Sequence, residues 1–358
     1  MNNNRKVMES LRDEYDKSGM LRLAESIPTH MQDAWIRAAD FEDRLPLGIT
    51  GDISRIVVCG MGGSAIGADL AAAVAGSRLG LPLHVVRNYE VSIPVANGSL
   101  GIISSYSGNT AETLSAYETM KKESRAMLAI TTGGALGEKC KSEGIPVCLI
   151  PEGMPPRAAI AYSLVPILRI LRTMGFLQMK EEEFSEGVKT AEKLCEGYSL
   201  PAGGGNALDL AEKLHGKLPF VYADMGLLAP VARRWACQFN ENSKVLAHFA
   251  MFPELCHNEI VGWEKLVSVM PQSAVLSLED SEDHPVSVKQ RIAAVDLIKG
   301  FGEHIESFET KGRGRLSRLL SIMLLGDFAS IYLALLNGVD PTPVEKISLL
   351  KKRMSETD

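Results

Sequence analysis

The sequence predicts an α/β protein of two halves, each a mainly parallel sheet flanked by helices. Three observations predict it. Between residues 55 and 150, short β-branched runs alternate with helical patterns of about 10 to 15 residues, the signature of right-handed βαβ units. A looser alternation recurs after residue 218. The chain, at 358 residues, has the length for two ordinary domains with filled cores.

The first sixty residues read as a helical lead-in, with "ESIPTHMQDAWIRAADF" as its amphipathic segment. "RIVVCG" is a strand ending in glycine, and "SAIGADLAAAVAG" is a helix of small residues. "LPLHVVRN" and "GIISSYS" are the next strands, and "AETLSAYETMKKES" is the helix after them. "AMLAITT", "GALGEKCKSEG" and "PVCLIPEG" continue the alternation, before helical patterns take over at "AIAYSLVPILRILRTMG". A polar, acidic stretch from residue 180 to 206 reads as a linker, placing the division at 1–180 and 181–358. The second half runs through "LPFVYAD", a helix over "APVARRWACQFNENSK", and strands at "KLVSVM", "AVLSLED" and "HIESFET". A long buried helix over "LLSIMLLGDFASIYLALL" closes it.

Composition bounds the function. Hydrophobic residues make up 46% and charged residues 23%, as in soluble globular proteins. A net charge of -6 gives no electrostatic reason to expect nucleic acid or an anionic membrane surface. The N-terminus is polar and starts no apolar signal core, and Asp327 interrupts the longest apolar tract. The six cysteines form no C-x-x-C pair. A cytoplasmic protein without structural disulfides is expected.

Two strand-to-helix turns carry the chemistry. Gly60-Met61-Gly62-Gly63-Ser64-Ala65 nearly satisfies the dinucleotide fingerprint G-x-G-x-x-G/A. That fingerprint also asks for an acid at the end of the next strand, where this chain has Arg87 and Asn88. No cofactor is therefore expected. The turn "SSYSGNT" suits a smaller anion. A helix N-terminus offers unpaired N–H groups and the positive end of the helix dipole. Ser105, Ser107 and Thr110 add hydroxyl donors, and Gly108 lets the backbone close. One hydroxyl would serve as a helix cap; three on one turn point to a phosphate monoester.

"GMGGSAIGADL" followed by "SSYSGNTAETL" resembles the sugar isomerase (SIS) fold, whose serine and threonine loop holds a sugar phosphate. Gly63, Ser64, Ser105, Ser107 and Thr110 are the phosphate-binding candidates. With "PPRAAIAYS", "NENSK", "HNEIVGW" and "VDPTPVEKISLLKKRM", the chain resembles the bifunctional phosphoglucose/phosphomannose isomerases from about residue 30 onward. The resemblance implies two SIS-type subdomains. It also implies metal-independent aldose–ketose isomerisation, through a cis-enediolate, of glucose 6-phosphate or mannose 6-phosphate to fructose 6-phosphate.

A carboxylate suits the proton transfer between C1 and C2, and the resemblance puts that base at Glu241. Imidazole exchanges protons near neutrality, so His257 suits ring opening. In the wider isomerase family that histidine comes from the neighbouring subunit, which implies a homodimer with shared active sites. Arg157, behind two prolines, would stabilise the enediolate oxygen. The resemblance assigns a ring-opening lysine to Lys351, with Lys352 or Lys346 as the alternative registers, and a role in epimer specificity to Thr342. Glu254, Cys256, His257 and Glu259 are close in sequence but lack H-x-x-x-H or H-E-x-x-H spacing, so no metal is expected. Two rivals remain: a non-catalytic sugar-phosphate sensor on the same fold, and an isomerase for a pentose or amino-sugar phosphate. Such sensors carry a basic DNA-recognition helix ahead of the fold, and the N-terminal stretch shows none.

Overall fold

The computed structural model describes residues 2–265, 272–299 and 304–356. Three helices lead in: α1 (Asn2–Tyr15), α2 (Met20–Glu25) and α3 (Ile27–Ala39). In α3 the buried Ile27, Met31, Ala34, Trp35 and Ala38 recur at helical spacing and form one apolar stripe.

The first sheet is built from β1 (Arg55–Cys59), β2 (Leu83–Val86), β3 (Ser99–Ser105), β4 (Ala126–Thr131) and β5 (Val147–Leu149). Its order is β2-β1-β3-β4-β5 and every pairing is parallel. β3 is buried at all seven positions because strands and helices cover both its edges and faces. β2, at the edge, is half-exposed. The intervening helices are α4 (Gly62–Ala75), the short α5 (Ile93–Ala96), α6 (Ala111–Glu123) and α7 (Gly134–Glu143). α8 (Ile160–Thr173) then packs against α3 and α4.

The acidic stretch expected to link the halves is instead an 18-residue helix, α9 (Glu181–Tyr198). Its first turn is Glu181, Glu182 and Glu183, which suits the positive end of the helix dipole. Phe184, Val188, Ala191, Cys195 and Tyr198 bury a stripe beneath the charges, and Phe184 stacks on Trp35 at 4.0 Å. High overall polarity hid that stripe.

The second half adds α10 (Gly205–Leu214), β6 (Leu218–Asp224), α11 (Ala229–Gln238) and β7 (His248–Phe252). It continues with α12 (Glu259–Gly262), β8 (Ser273–Glu279), α13 (Pro285–Ile298) and β9 (His304–Glu309). α14 (Arg315–Leu336) and α15 (Glu345–Ser355) end it. The sheet order is β7-β6-β8-β9, again all parallel. β7 did not stand out in the sequence: an edge strand whose burial rises from the exposed His248 through three half-buried residues to the buried Phe252 carries little period-2 signal. The strand expected at "KLVSVM" begins on the turn residue Lys265 and otherwise lies outside the described residues.

Set side by side, the first four strands of each half follow one order: second, first, third, fourth. α14 is buried from Leu316 to Leu335 and packs on α1, α2, α9, α10 and α11, so one core runs through both halves. It is long and apolar enough to cross a membrane, but 94% of its apolar window lies inside the fold. Asp327 in its middle takes two bonds from Arg234 of α11, at 2.9 and 2.8 Å, and one from Gln238 at 3.1 Å. Buried charges persist only when paired in this way.

Candidate active site

In sheets of this order the strand direction of winding reverses between the first and third strands, and a crevice opens at their carboxyl ends. In the first half that crevice lies between the turns after β1 and β3. Ser64, in the first turn of α4, accepts a hydrogen bond from Tyr106 N at 3.2 Å, tying one turn to the other. Ser105 ends β3 and donates to Thr110 Oγ1 at 3.1 Å, and Ser107 Oγ accepts from Asn109 N at 3.2 Å. Thr110 holds the N-cap position of α6 without a side-chain cap bond, so the helix's leading N–H groups face the crevice with hydroxyls around them. Gly108 has φ 67°, and a Cβ there would sit 1.8 Å from Gly133 O. Only glycine fits.

Gly63 joins this crevice to a second group of residues. A Cβ on it would lie 2.6 Å from Pro156 O and 3.5 Å from Arg157 N, so α4 and the loop carrying Arg157 touch through backbone alone. Arg157 is 5% exposed, and each of its three guanidinium nitrogens makes a hydrogen bond. Nε donates to Asn242 Oδ1 at 2.6 Å, and Nη1 lies 3.4 Å from Glu241 Oε2. Nη2 donates to Pro341 O at 2.7 Å and Thr342 O at 2.8 Å. Burial lowers its pKa from the ordinary arginine value, and the Glu241 carboxylate opposes that. Arg234 donates to the carbonyl of Arg157 at 3.1 Å, so the buried Arg234–Asp327 pair also braces this loop.

Glu241 stands on a π-helical turn, Phe239–Ser243, that prolongs α11. Such turns are rare and recur at functional sites. Asn242 and Ser243 point inward and bond Ser330 of α14, which leaves Glu241 facing outward, about a third exposed. Thr342 lies beside it on the Asp340–Thr342 turn, where Asp340 Oδ1 accepts from Thr342 N at 2.8 Å. Its Oγ1 is buried without a hydrogen-bond partner.

The remaining candidates stand apart. His257 is exposed on the turn Glu254–His257, and among the described residues no hydrogen bond joins it to Glu241. Lys346, Lys351 and Lys352 sit at exposed positions on α15; Lys352 lies 3.8 Å from Glu356, and among the described residues no ion pair joins Lys351 to Glu241. Glu259 accepts from Tyr222 and lies 3.0 Å from His248, and among the described residues no three His, Cys, Asp or Glu side chains are placed to hold a metal. Lys244 is a site residue that the sequence did not single out: Nζ donates to Glu241 O at 2.6 Å and Pro341 O at 3.2 Å. Its bonds go to carbonyls 3 and 97 residues away, which leaves no motif to read.

The equivalent crevice of the second sheet, a cavity of about 450 Å³ at the ends of β6 and β8, has a different lining. Asp224, Asp280, Glu282 and Asp283 stand where the first crevice has hydroxyls. Arg291 bonds Asp224 and, at 2.8 Å, Asp283; Arg318 bonds Asp280 at 2.9 Å and Glu282 at 2.5 Å. Burial beside Asp283 pushes Asp224 up to about 6.

The chain has known relatives. Residues 205–354 match the bacterial phospho-glucose isomerase C-terminal SIS domain. The bifunctional phosphoglucose/phosphomannose isomerase of Caldicellulosiruptor bescii is 40% identical over 307 residues, covering 85% of this chain and 91% of that protein. The chain belongs to the bifunctional phosphoglucose/phosphomannose isomerase family. The family's Aquifex aeolicus member is 34% identical over 303 residues, 84% of this chain and 90% of its own. A solved structure of a hypothetical protein from Thermus thermophilus shares the fold, with a TM-score of 0.74 at 15% identity over 99% of this chain and 94% of that one. Both halves here are parallel sheets flanked by helices.

Proposed function

We propose that this chain is an isomerase that interconverts glucose 6-phosphate and mannose 6-phosphate with fructose 6-phosphate through a cis-enediolate. The observation that carries the reading is the convergence of Arg157 on Glu241 and the Asp340–Thr342 turn, one backbone contact from the hydroxyl-lined crevice. That neighbourhood supports a reading in which one group holds the phosphate and the other moves the proton.

In this reading Gly63, Ser64, Ser105, Ser107 and Thr110 hold the phosphate. Glu241 takes the proton from C2 of the aldose and returns it to C1 on the same face. Charge then builds on the C1 and C2 oxygens, where the Arg157 guanidinium is already in place and needs no reorganisation. Thr342, with an unpaired hydroxyl and little bulk, leaves room for rotation about C2–C3, so that either face of C2 can be protonated. Lys351 and His257 open the ring, with His257 supplied by the second chain of a homodimer. Two features support that last point. His257 is exposed near the exposed Val261, and α15 presents Ile347, Leu350 and Met354 to solvent, 43%, 58% and 53% exposed. An uncovered apolar face of this kind fits a second copy. A cytoplasmic location belongs to the same proposal.

The test is fructose 6-phosphate formation from glucose 6-phosphate and, separately, from mannose 6-phosphate, with excess chelator. Turnover of both is expected. Turnover of glucose 6-phosphate alone would keep the mechanism and remove the role given to Thr342. Tight binding of both without turnover would make the protein a sensor.

A further inference from the structure

Lys244 is the single non-glycine residue with a left-handed backbone among the described residues, at φ 58°. It directly follows the π-helical turn that carries Glu241. Helix ends commonly take this conformation, but at glycine or asparagine, which adopt it with least strain. A helix stop alone therefore does not account for a lysine. Residues held in such conformations cluster where the rest of the structure has a use for them.

The side chain shows what that use is. Turned back by the left-handed backbone, it donates to the main-chain oxygen of Glu241 and to that of Pro341. It thereby bridges the backbone that carries the carboxylate and the backbone that carries Thr342. Arg157 spans the same two segments through the Glu241 carboxylate, and Lys244 adds a second tie through the Glu241 main-chain oxygen. Lys244 is moreover held there against opposition: burial and the Arg157 guanidinium lower its pKa from the ordinary lysine value, with Asp340, Glu241 and Glu345 pulling the other way. Two cations thus share one carbonyl, that of Pro341.

We propose that Lys244 is a positioning residue that sets the gap between the Glu241 carboxylate and the Asp340–Thr342 turn, and through it the partition between the two 2-epimers. This rests on the reading of Glu241 as the base. With the phosphate anchored at one end of the sugar, the C1–C2 end has that gap as its remaining freedom. The width of the gap decides which face of C2 meets the carboxylate. Without the ammonium the turn is held by Arg157 alone, and both the approach to C2 and the rotation about C2–C3 loosen.

Three variants test this. Lys244→Met keeps the length and loses the charge, Lys244→Gly relieves the backbone and loses the bridge, and Lys244→Arg restores a cation. For each, kcat and KM are measured with glucose 6-phosphate and with mannose 6-phosphate, beside Tm. Met and Gly variants are expected to lose about 10- to 100-fold in kcat, the scale of a small misplacement of reacting groups. Their KM should stay within about threefold, because the phosphate turns are untouched. The ratio of kcat/KM for the two epimers should move by about threefold or more in both, and return toward the wild-type ratio in the Arg variant. If Met and Gly variants keep the wild-type ratio and differ only in Tm, Lys244 is a helix stop and the inference fails alone. A wild-type protein that turns over neither sugar overturns this inference together with the reading beneath it.

Discussion

Arg157 directs Nη1 at the Glu241 carboxylate, 3.4 Å away, and Nε at the amide oxygen of the next residue, Asn242, at 2.6 Å. One planar group thus spans two neighbouring side chains, and a lysine has no second donor placed to do the same. Arg157→Lys is expected to lower kcat by about 100- to 1,000-fold, the effect of losing one preorganised donor to a developing oxyanion. A kcat within about threefold of wild type would remove Arg157 from the reaction.

Glu241 is about a third exposed on a turn whose other residues make the packing contacts. Glu241→Gln therefore should fold normally. Turnover should fall by about 1,000-fold or more, within the range for removing a general base. Calorimetric affinity for fructose 6-phosphate should stay within about threefold, since no phosphate donor is touched. Full activity in this variant would end the assignment of Glu241.

Gly108 closes the Ser105–Thr110 turn against Gly133 with no space for a methyl group. Gly108→Ala combines a clash with a left-handed backbone, and about 2–4 kcal/mol of stability should be lost. KM should rise more than kcat falls, because the hydroxyls move while Glu241 does not. Denaturant unfolding and steady-state kinetics on the same sample separate the two effects. An unchanged KM would place the phosphate elsewhere.

If Glu241 and His257 of one site come from different chains, two dead variants should rescue each other. Glu241→Gln and His257→Asn are each expected to be nearly inactive. Mixed and allowed to exchange, half the dimers become hybrid, each with one intact site and one doubly substituted site. Activity should then recover to about a quarter of wild type. No recovery after demonstrated exchange would put both residues in sites of a single chain.

Four buried thiols set an alkaline limit. Burial pushes Cys59 and Cys195 up to about 12, and Cys140 and Cys148 up to about 11, from an ordinary 9.0. Between those values the folded chain keeps protons that the unfolded chain releases, so stability falls as pH rises. Below about 9 both states are neutral and the thiols add no slope. Tm should be level to about pH 8.5 and drop by about 5–10 °C by pH 10.5. Replacing Cys59 and Cys195 with alanine should flatten that drop; an identical curve would assign it to the buried tyrosines.

The parts legible in the sequence were those written in consecutive residues. "SSYSGNT" shows its hydroxyls and its glycine together, and the structure gathers them at one strand end. Arg157, Glu241 and Thr342 were each found beside a local motif, although only the fold shows one guanidinium reaching the other two segments. Other features are carried by distance. Lys244 works through main-chain oxygens, which have no residue type, and the bracing Arg234–Asp327 pair spans 93 positions. α9 was hidden by its own charge, with three glutamates at the start masking six buried residues at helical spacing.

The two sheets share a strand order, and their crevices carry opposite chemistry. One is edged with hydroxyls and helix N–H groups; the other is edged with carboxylates that Arg291 and Arg318 hold from behind. Carboxylates stand there where a phosphate would need donors. The doubling of the frame has therefore not doubled its capacity: each chain should saturate at a single equivalent of sugar phosphate. Its second half brings Glu241 and the Asp340–Thr342 turn to Arg157 of the first, while its own crevice presents carboxylates.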